Sequence, residues 1–426
     1  MKLLITGGDV VNPLGLGGDL DILIEDEKIL DIWRRDSETE YDLDDVDEKI
    51  CADGLIVSPG LVDTHVHFRD PGFTYKEDIY TGARAAIKGG FTSVVMMGNT
   101  DPPIDNVKTL RYVLEKGEKT EAHVYSVANV TEGMKGKTLT QMEDLSAAGV
   151  VGFSDDGKPI LNDAVMKAAM KEAARINLPI ALHEEDPALI KSFGFNLGVA
   201  SRFFGVGGAD SAAEVRMIKR DIKLAQETGA TIVIQHISTA EGVDLVRHAK
   251  ECGIDVHAEA TPHHFTLTDV DVIRYSTLAK MNPPLRTAED RNAIIKGLAD
   301  GTIDIIATDH APHSVEEKLQ SVDKAPSGII GLETSLGLAL ELVHSGYLTL
   351  DQLIMRMSAA PAQLYNLDAG CLEIGGPADI TIFNPEEKYV ITDDFSSKSK
   401  NSPFIGWKLR GKVKYTIIGG DICYKG

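Results

Sequence analysis

Between residues 61 and 308 the chain alternates short apolar runs with stretches in which apolar positions return every three or four residues. The runs cover residues 61–66, 93–97, 123–127, 150–154, 180–183, 231–236, 255–259 and 303–308. All but the seventh are followed by helical periodicity, for example over 81–88, 164–176, 212–227 and 241–252. After the seventh, residues 261–286 read mostly as loop, ahead of a helix near 289–299. Eight strands in βα alternation is the count that closes a parallel sheet, so the pattern predicts an α/β fold of the (β/α)8 TIM-like barrel type. A doubly wound open sheet is the rival architecture.

The two ends of the chain follow a different rhythm. Residues 1–57 read as short strands broken by glycine, Asn-Pro and acidic turns, with a hairpin over 22–33 that turns near Asp26-Glu27. The last 60 or so residues read likewise, with strands over 379–383 and 412–418 and a turn at Gly419-Gly420-Asp421. Neither piece makes a good sheet alone. The expectation is one small composite β-sandwich domain, formed by 1–57 and 366–426, flanking a barrel over 58–365.

Composition narrows the partners. A hydrophobic content of 43% and a charged content of 25% belong to a soluble globular protein. No run approaches the roughly 20 apolar residues of a membrane span. The apolar start Met1 to Ile5 meets Gly7, Gly8 and Asp9 too soon for a signal peptide, so the cytoplasm is expected. Four scattered cysteines (Cys51, Cys252, Cys371, Cys423) argue against disulfides or a thiolate zinc site and read as buried free thiols. A net charge of −22 with no basic stripe excludes nucleic acid and anionic membranes. An anionic small molecule stays possible where cations and a few arginines make a site locally positive.

The chemistry gathers at strand ends. His65 and His67 close the first strand, and residues two apart on a strand share a face. Asp155-Asp156 closes the fourth, where one carboxylate can cap a turn while the other bridges two cations. His183 closes the fifth, His236 the sixth and Asp309 the eighth. An open sheet gives no reason for ligands on so many strands, whereas a barrel brings them to one mouth. Imidazoles and carboxylates suit zinc, and two ions lower the pKa of a bridging water enough to make it a nucleophile. Asp309 would take that water's proton and pass it to a leaving nitrogen, a chemistry suited to amides, imides or esters. His123 and His257, inside strands, read as ordinary barrel packing.

The segment His65-Val66-His67-Phe68-Arg69-Asp70-Pro71-Gly72-Phe73, with Lys76-Glu77-Asp78 after it, resembles the amidohydrolase superfamily signature in its dihydroorotase form. Gly98-Asn99-Thr100, Lys280 to Arg286 and Thr308-Asp309-His310-Ala311-Pro312-His313 fit the same family. The resemblance implies two zinc ions per subunit, His65, His67 and Asp309 holding one and His183 and His236 the other. Asp156 would bridge them, chosen over Asp155 by its spacing to His183. A carboxylated Lys158, the bridge type of hydantoinases and allantoinases, remains the alternative. Arg69, Asn99 and Asn282 match positions that grip the substrate carboxylate and ring. His313 and Ser327-Gly328 match the side that closes over it, and His67 is also expected to face the substrate. His263-His264 is expected to support rather than ligate.

The implied activity is the reversible cyclisation of N-carbamoyl-L-aspartate to L-dihydroorotate in pyrimidine biosynthesis, on free small molecules, with a homodimer left open. The alternatives are a hydantoinase or allantoinase, or a non-catalytic scaffold for a transcarbamoylase.

Overall fold

The computed structural model describes residues 1–37, 41 and 46–426. Eight parallel strands follow one another in chain order around the barrel: Leu61–Val66, Phe91–Met96, His123–Ala128, Gly152–Phe153, Ile180–Leu182, Ile232–Ile234, Val256–Ala260 and Ile305–Ile306. The last strand meets the first not by a ladder but by a single bridge between Val66 and His310. There the His67 amide donates to the His310 carbonyl at 2.9 Å. Asp63 adds a side-chain clasp to this seam: its carboxylate accepts the Thr308 amide at 3.1 Å and the Thr308 hydroxyl at 2.5 Å.

The helices start and stop where local chemistry directs. Asp78 caps Ile79–Lys88 by accepting from the Thr81 amide, and Thr287 caps Ala288–Asp300 through Asp290. Left-handed Asn177 and Gly301 end Asp163–Ile176 and Ala288–Asp300, satisfying the final turns as such residues do. The stretch 261–286, expected to be mostly loop, instead holds the short helices Pro262–Thr266 and Asp269–Tyr275 and a 3-10 turn Ser276–Ala279. Each piece is too short to display a hydrophobic period. Their signals are caps: Thr261 ahead of Pro262, and Thr268 boxed with Asp271.

The chain ends do pair. Ile380–Val390 lies antiparallel to Ile56–Pro59 on one side and to Lys408–Ile418 on the other. Together with the N-terminal strands they form one continuous nine-stranded sheet, in which Gly18–Glu25 and Lys28–Arg34 make the expected hairpin. Ile22 and Ile24 from the start of the chain share a core with Ile380, Ile382 and Ile417 from its end. The connection 391–407 leaves this sheet for the C-terminal mouth of the barrel, where Asn401 is buried against Ala311 and Gly328.

Three expectations need correction. His123 is not barrel packing: its Nε2 lies 2.9 Å from Asp379 of the small sheet, with 43% of its side chain exposed. His257 likewise pairs outward, with Asp304 at 3.4 Å and Asp255 at 3.1 Å. His123 opens its strand and His257 is the second residue of its own, both at the end remote from the mouth. The cysteines are free but not buried, because Cys51 ends a strand and Cys252 caps a helix; both are exposed, and Cys371 and Cys423 are half-buried. Among the described residues no helix is long and apolar enough to cross a membrane.

The close pairing with the Asp379 carboxylate raises the His123 pKa above its usual value, against a smaller opposing effect of burial. A raised basic pKa stabilises the fold fully below the unfolded value and ceases to as pH rises through the folded one. His123→Ala should therefore lower the melting temperature by about one or two degrees at pH 6, the scale of a half-exposed pair. The difference should vanish by about pH 9. Equal losses at both pH values in a thermal melt would contradict it.

Candidate metal centre

His65 and His67 leave the first strand on the same side and enter the barrel mouth. His65 Nδ1 lies 3.1 Å from Glu259 Oε2, so its Nδ1–H is spent on that carboxylate and Nε2 faces inward. Nε2 then stands 3.7 Å from Asp156 Oδ1 and 3.6 Å from Asp309 Oδ1. Asn99 orients His67 in the same way: its Oδ1 accepts from Nδ1 at 2.9 Å, while its amide donates to Asp156 Oδ2 at 3.1 Å. His67 Nε2 is left 3.0 Å from Asp309 Oδ1. Burial, helped by Arg69, keeps the His67 pKa below its usual value. A neutral ring with Nδ1–H committed to Asn99 sets a lone pair against a carboxylate oxygen, which only an interposed cation makes favourable.

The other side of the mouth repeats the theme. Asp156 Oδ1 lies 3.4 Å from His183 Nδ1 and 3.5 Å from His236 Nε2, and those two nitrogens are 3.0 Å apart. Asp156 Oδ1 and His65 Nε2 are buried with no hydrogen-bond partner. Unsatisfied buried polar atoms are rare and costly, and several converging on one point mark a place for an ion. His65, His67 and Asp309 form one group with metal-ligand spacing, and His65, Asp156 and His236 a second. All six sequence-predicted ligands thus meet at one mouth.

The electrostatics agree. Burial opposes charge on His65, yet Asp309, Asp156 and Glu259 outweigh it and hold its pKa well above 6.5. Burial also works against the Asp156 carboxylate, and His183, His236 and His65 overcome it to hold its pKa well below the usual range. Asp309 is held low in the same manner, against burial, chiefly by the charge on His65. A field that attracts protons here attracts metal cations equally.

Asp155 points elsewhere. It accepts the amides of Val130 at 2.8 Å and Thr131 at 3.2 Å, plus the Thr131 hydroxyl, and so anchors a neighbouring loop. Lys158 is exposed, beyond the turn at Gly157. His264 bonds Thr261 and the Pro283 carbonyl, and His263 is buried nearby. Three site residues, His236 (φ 36°), Asp309 (φ 46°) and Arg69 (φ 59°), adopt left-handed backbone without being glycine. Such strain costs about 1–3 kcal/mol per residue and persists where surrounding contacts over-determine it.

The residues expected to meet substrate ring this centre. A cavity of about 400 Å³ opens beside Phe73, Asn99, Asp156 and Gly157. Asn282 donates to Glu185 at 3.1 Å and lies 3.3 Å from His183. Arg69 Nε donates to the Pro312 carbonyl at 3.3 Å. Its charge, with that of Lys76, helps burial keep His313 neutral. His313 Nε2 donates to the Ser327 carbonyl at 2.8 Å, and Nδ1 accepts from Lys76 at 3.3 Å. Gly328 (φ 153°) packs so tightly that a Cβ would fall 2.6 Å from the His313 ring and 2.7 Å from the Ala311 carbonyl.

Sequence reasoning missed Glu259, Glu185 and Asp63. The available signal was acid inside apolar strands: Glu259 in Val256–Ala260 and Asp63 in Leu61–Val66, both fully buried.

A model of the amidohydrolase family matches residues 56–423. The chain belongs to that family. Members are typically metal-dependent, in keeping with the two groups of ligand spacing here. The chain is 52% identical over 425 residues to a dihydroorotase of Clostridioides difficile, covering 99% of each. It is 49% identical to a dihydroorotase of Streptococcus pneumoniae, covering 99% of this chain and 100% of that one. Among solved structures, an L-hydantoinase from Arthrobacter aurescens superposes with a TM-score of 0.88 at 26% identity, covering 99% of this chain and 96% of that one. A dihydropyrimidinase from Brevibacillus agri gives 0.87 at 21%, covering 100% and 95%. These two likenesses establish the barrel with its small appended domain.

A carboxylate that fixes a ligating imidazole typically contributes 10- to 100-fold in metal affinity. Glu259→Gln should therefore weaken metal retention by about that factor in a chelator competition, with the circular dichroism of the fold unchanged. Unaltered affinity would contradict the role given to Glu259.

Proposed function

We propose that this amidohydrolase is a dihydroorotase that interconverts N-carbamoyl-L-aspartate and L-dihydroorotate in the cytoplasm as a step of pyrimidine biosynthesis. The observation that carries the reading is the cationic Arg69 at the lip of the six-ligand mouth, in a chain about half identical to dihydroorotases end to end. A guanidinium there offers a bidentate fork to a ring carboxylate, which hydantoins and allantoin lack. Retention of all six ligand types argues against a non-catalytic scaffold.

In this reading His65, His67 and Asp309 would hold one zinc ion and His183 and His236 a second, with Asp156 as the carboxylate they would share. When bound, such ions lower the pKa of a water and polarise the scissile carbonyl. Asp309, kept ionised by the imidazoles around it, takes a proton from the attacking water. It delivers that proton to the ring nitrogen as the carbon–nitrogen bond breaks. In ring closure the same carboxylate works in reverse. Arg69, Asn99 and Asn282 orient the carboxylate and ring, while His313 and Ser327-Gly328 close the far side.

Turnover of carbamoyl aspartate, with and without a chelator, tests the proposal. Activity that is abolished by the chelator and restored by zinc is expected; chelator-resistant turnover, or none at all, would contradict it. Asp309→Asn should reduce kcat by about a thousandfold or more, the loss of a reaction-specific group, while the protein still folds. Arg69→Met should act mainly on KM for dihydroorotate and leave any residual hydantoin hydrolysis unchanged. A uniform loss on both substrates would contradict the carboxylate assignment.

A further inference from the structure

We propose that Asn401, carried to the barrel mouth by the C-terminal segment, is a positioning residue for the substrate-facing edge of the pocket. The inference rests on the reading above that His313 and Ser327-Gly328 face the substrate. Asn401 is 2% exposed and uses its whole side-chain amide on that edge. Its Nδ2 donates to the Ala311 carbonyl and to the Gly328 carbonyl, both at 3.0 Å. Its Oδ1 accepts the His313 amide at 3.0 Å. Its backbone carbonyl accepts the Ile330 amide at 3.1 Å. One side chain therefore ties the segment after the eighth strand to the segment that returns at Gly328.

No other common residue satisfies this arrangement. Aspartate would turn an oxygen toward two carbonyl oxygens, and an aliphatic residue would leave the Ala311 carbonyl and the His313 amide without their partner, which is costly. The anchor is itself held. Ser399 donates to the Lys76 carbonyl at 2.8 Å, and the Ser397 hydroxyl donates to buried Glu77. Glu333 accepts the amides of Ser396 at 3.1 Å and Ser397 at 3.2 Å. Lys76 in turn reaches His313 Nδ1, so the loops after the first and eighth strands close through one ring of contacts. None of these bonds involves His65, His67, Asp156, His183 or His236. Disturbing Asn401 should thus loosen substrate binding while sparing the metal ligands.

The test is steady-state kinetics on dihydroorotate for Asn401→Asp and the milder Asn401→Ser, with metal content and melting temperature measured alongside. The expected result is a KM raised by about 10-fold or more, kcat within about 3-fold of the parent and unchanged metal per chain. A merely structural role would lower the melting temperature and leave KM unchanged, which overturns the proposal. So would parallel losses of kcat and metal. Should Asn401→Asp not fold, Asn401→Ser is combined with His313→Ala. Acting through His313, the two substitutions should raise KM by little more than the larger single effect; independent, multiplying effects overturn it. A parent inactive on dihydroorotate would instead sink the functional reading, and this inference with it.

Discussion

A buried carboxylate surrounded by imidazole nitrogens is the constraint on which the rest of the molecule depends. Asp156 Oδ1 sits 3.4 to 3.7 Å from three histidines with no hydrogen-bond donor, beside a second carboxylate, Asp309, that faces His67 at 3.0 Å. Burying such groups without compensation costs several kcal/mol. At the barrel mouth that cost has a use, because eight strand ends there can present ligands from distant parts of the chain to one point. Glu259 and Asn99 then decide which nitrogen of each histidine is free, so the centre is specified two layers deep.

The barrel was legible from the sequence because its strands are apolar and regularly spaced. The first strand, 61–66, matches the reading residue for residue, and the ligand-bearing ends of the others lie within a few residues of it. The hairpin around Asp26-Glu27 and the pairing of the two chain ends were equally readable, since neither end can bury a sheet alone. What escaped notice were features without periodicity. Pro262–Thr266 and Asp269–Tyr275 are specified by caps over fewer than two turns. Glu259 and Asp63 looked like ordinary acids until the strands placed them inside. The outward pairing of His123 and His257 is not legible locally, because they sit at the starts of their strands and meet Asp379 and Asp304, both distant in sequence.

The small sheet is more than an appendage to the barrel. Its strands are joined by a connection that reaches the mouth, where buried Ser397, Ser399 and Asn401 bond the loops after the first and eighth strands. The polar content of that connection gave no sign of burial, since serine and lysine runs ordinarily face water. One chain thus frames its pocket from two ends: metal-type ligands come from the barrel strands, and much of the opposite wall is held by residues near the C-terminus.

The central claim is that these side chains converge around paired cations. Anomalous diffraction at the zinc edge from crystals of the zinc-loaded protein tests it most directly. The account predicts two peaks about 3.5–4 Å apart, flanking the Asp156 carboxylate and touching His65, His67, His183, His236 and Asp309. Peaks elsewhere, or none within reach of Asp156, would contradict it.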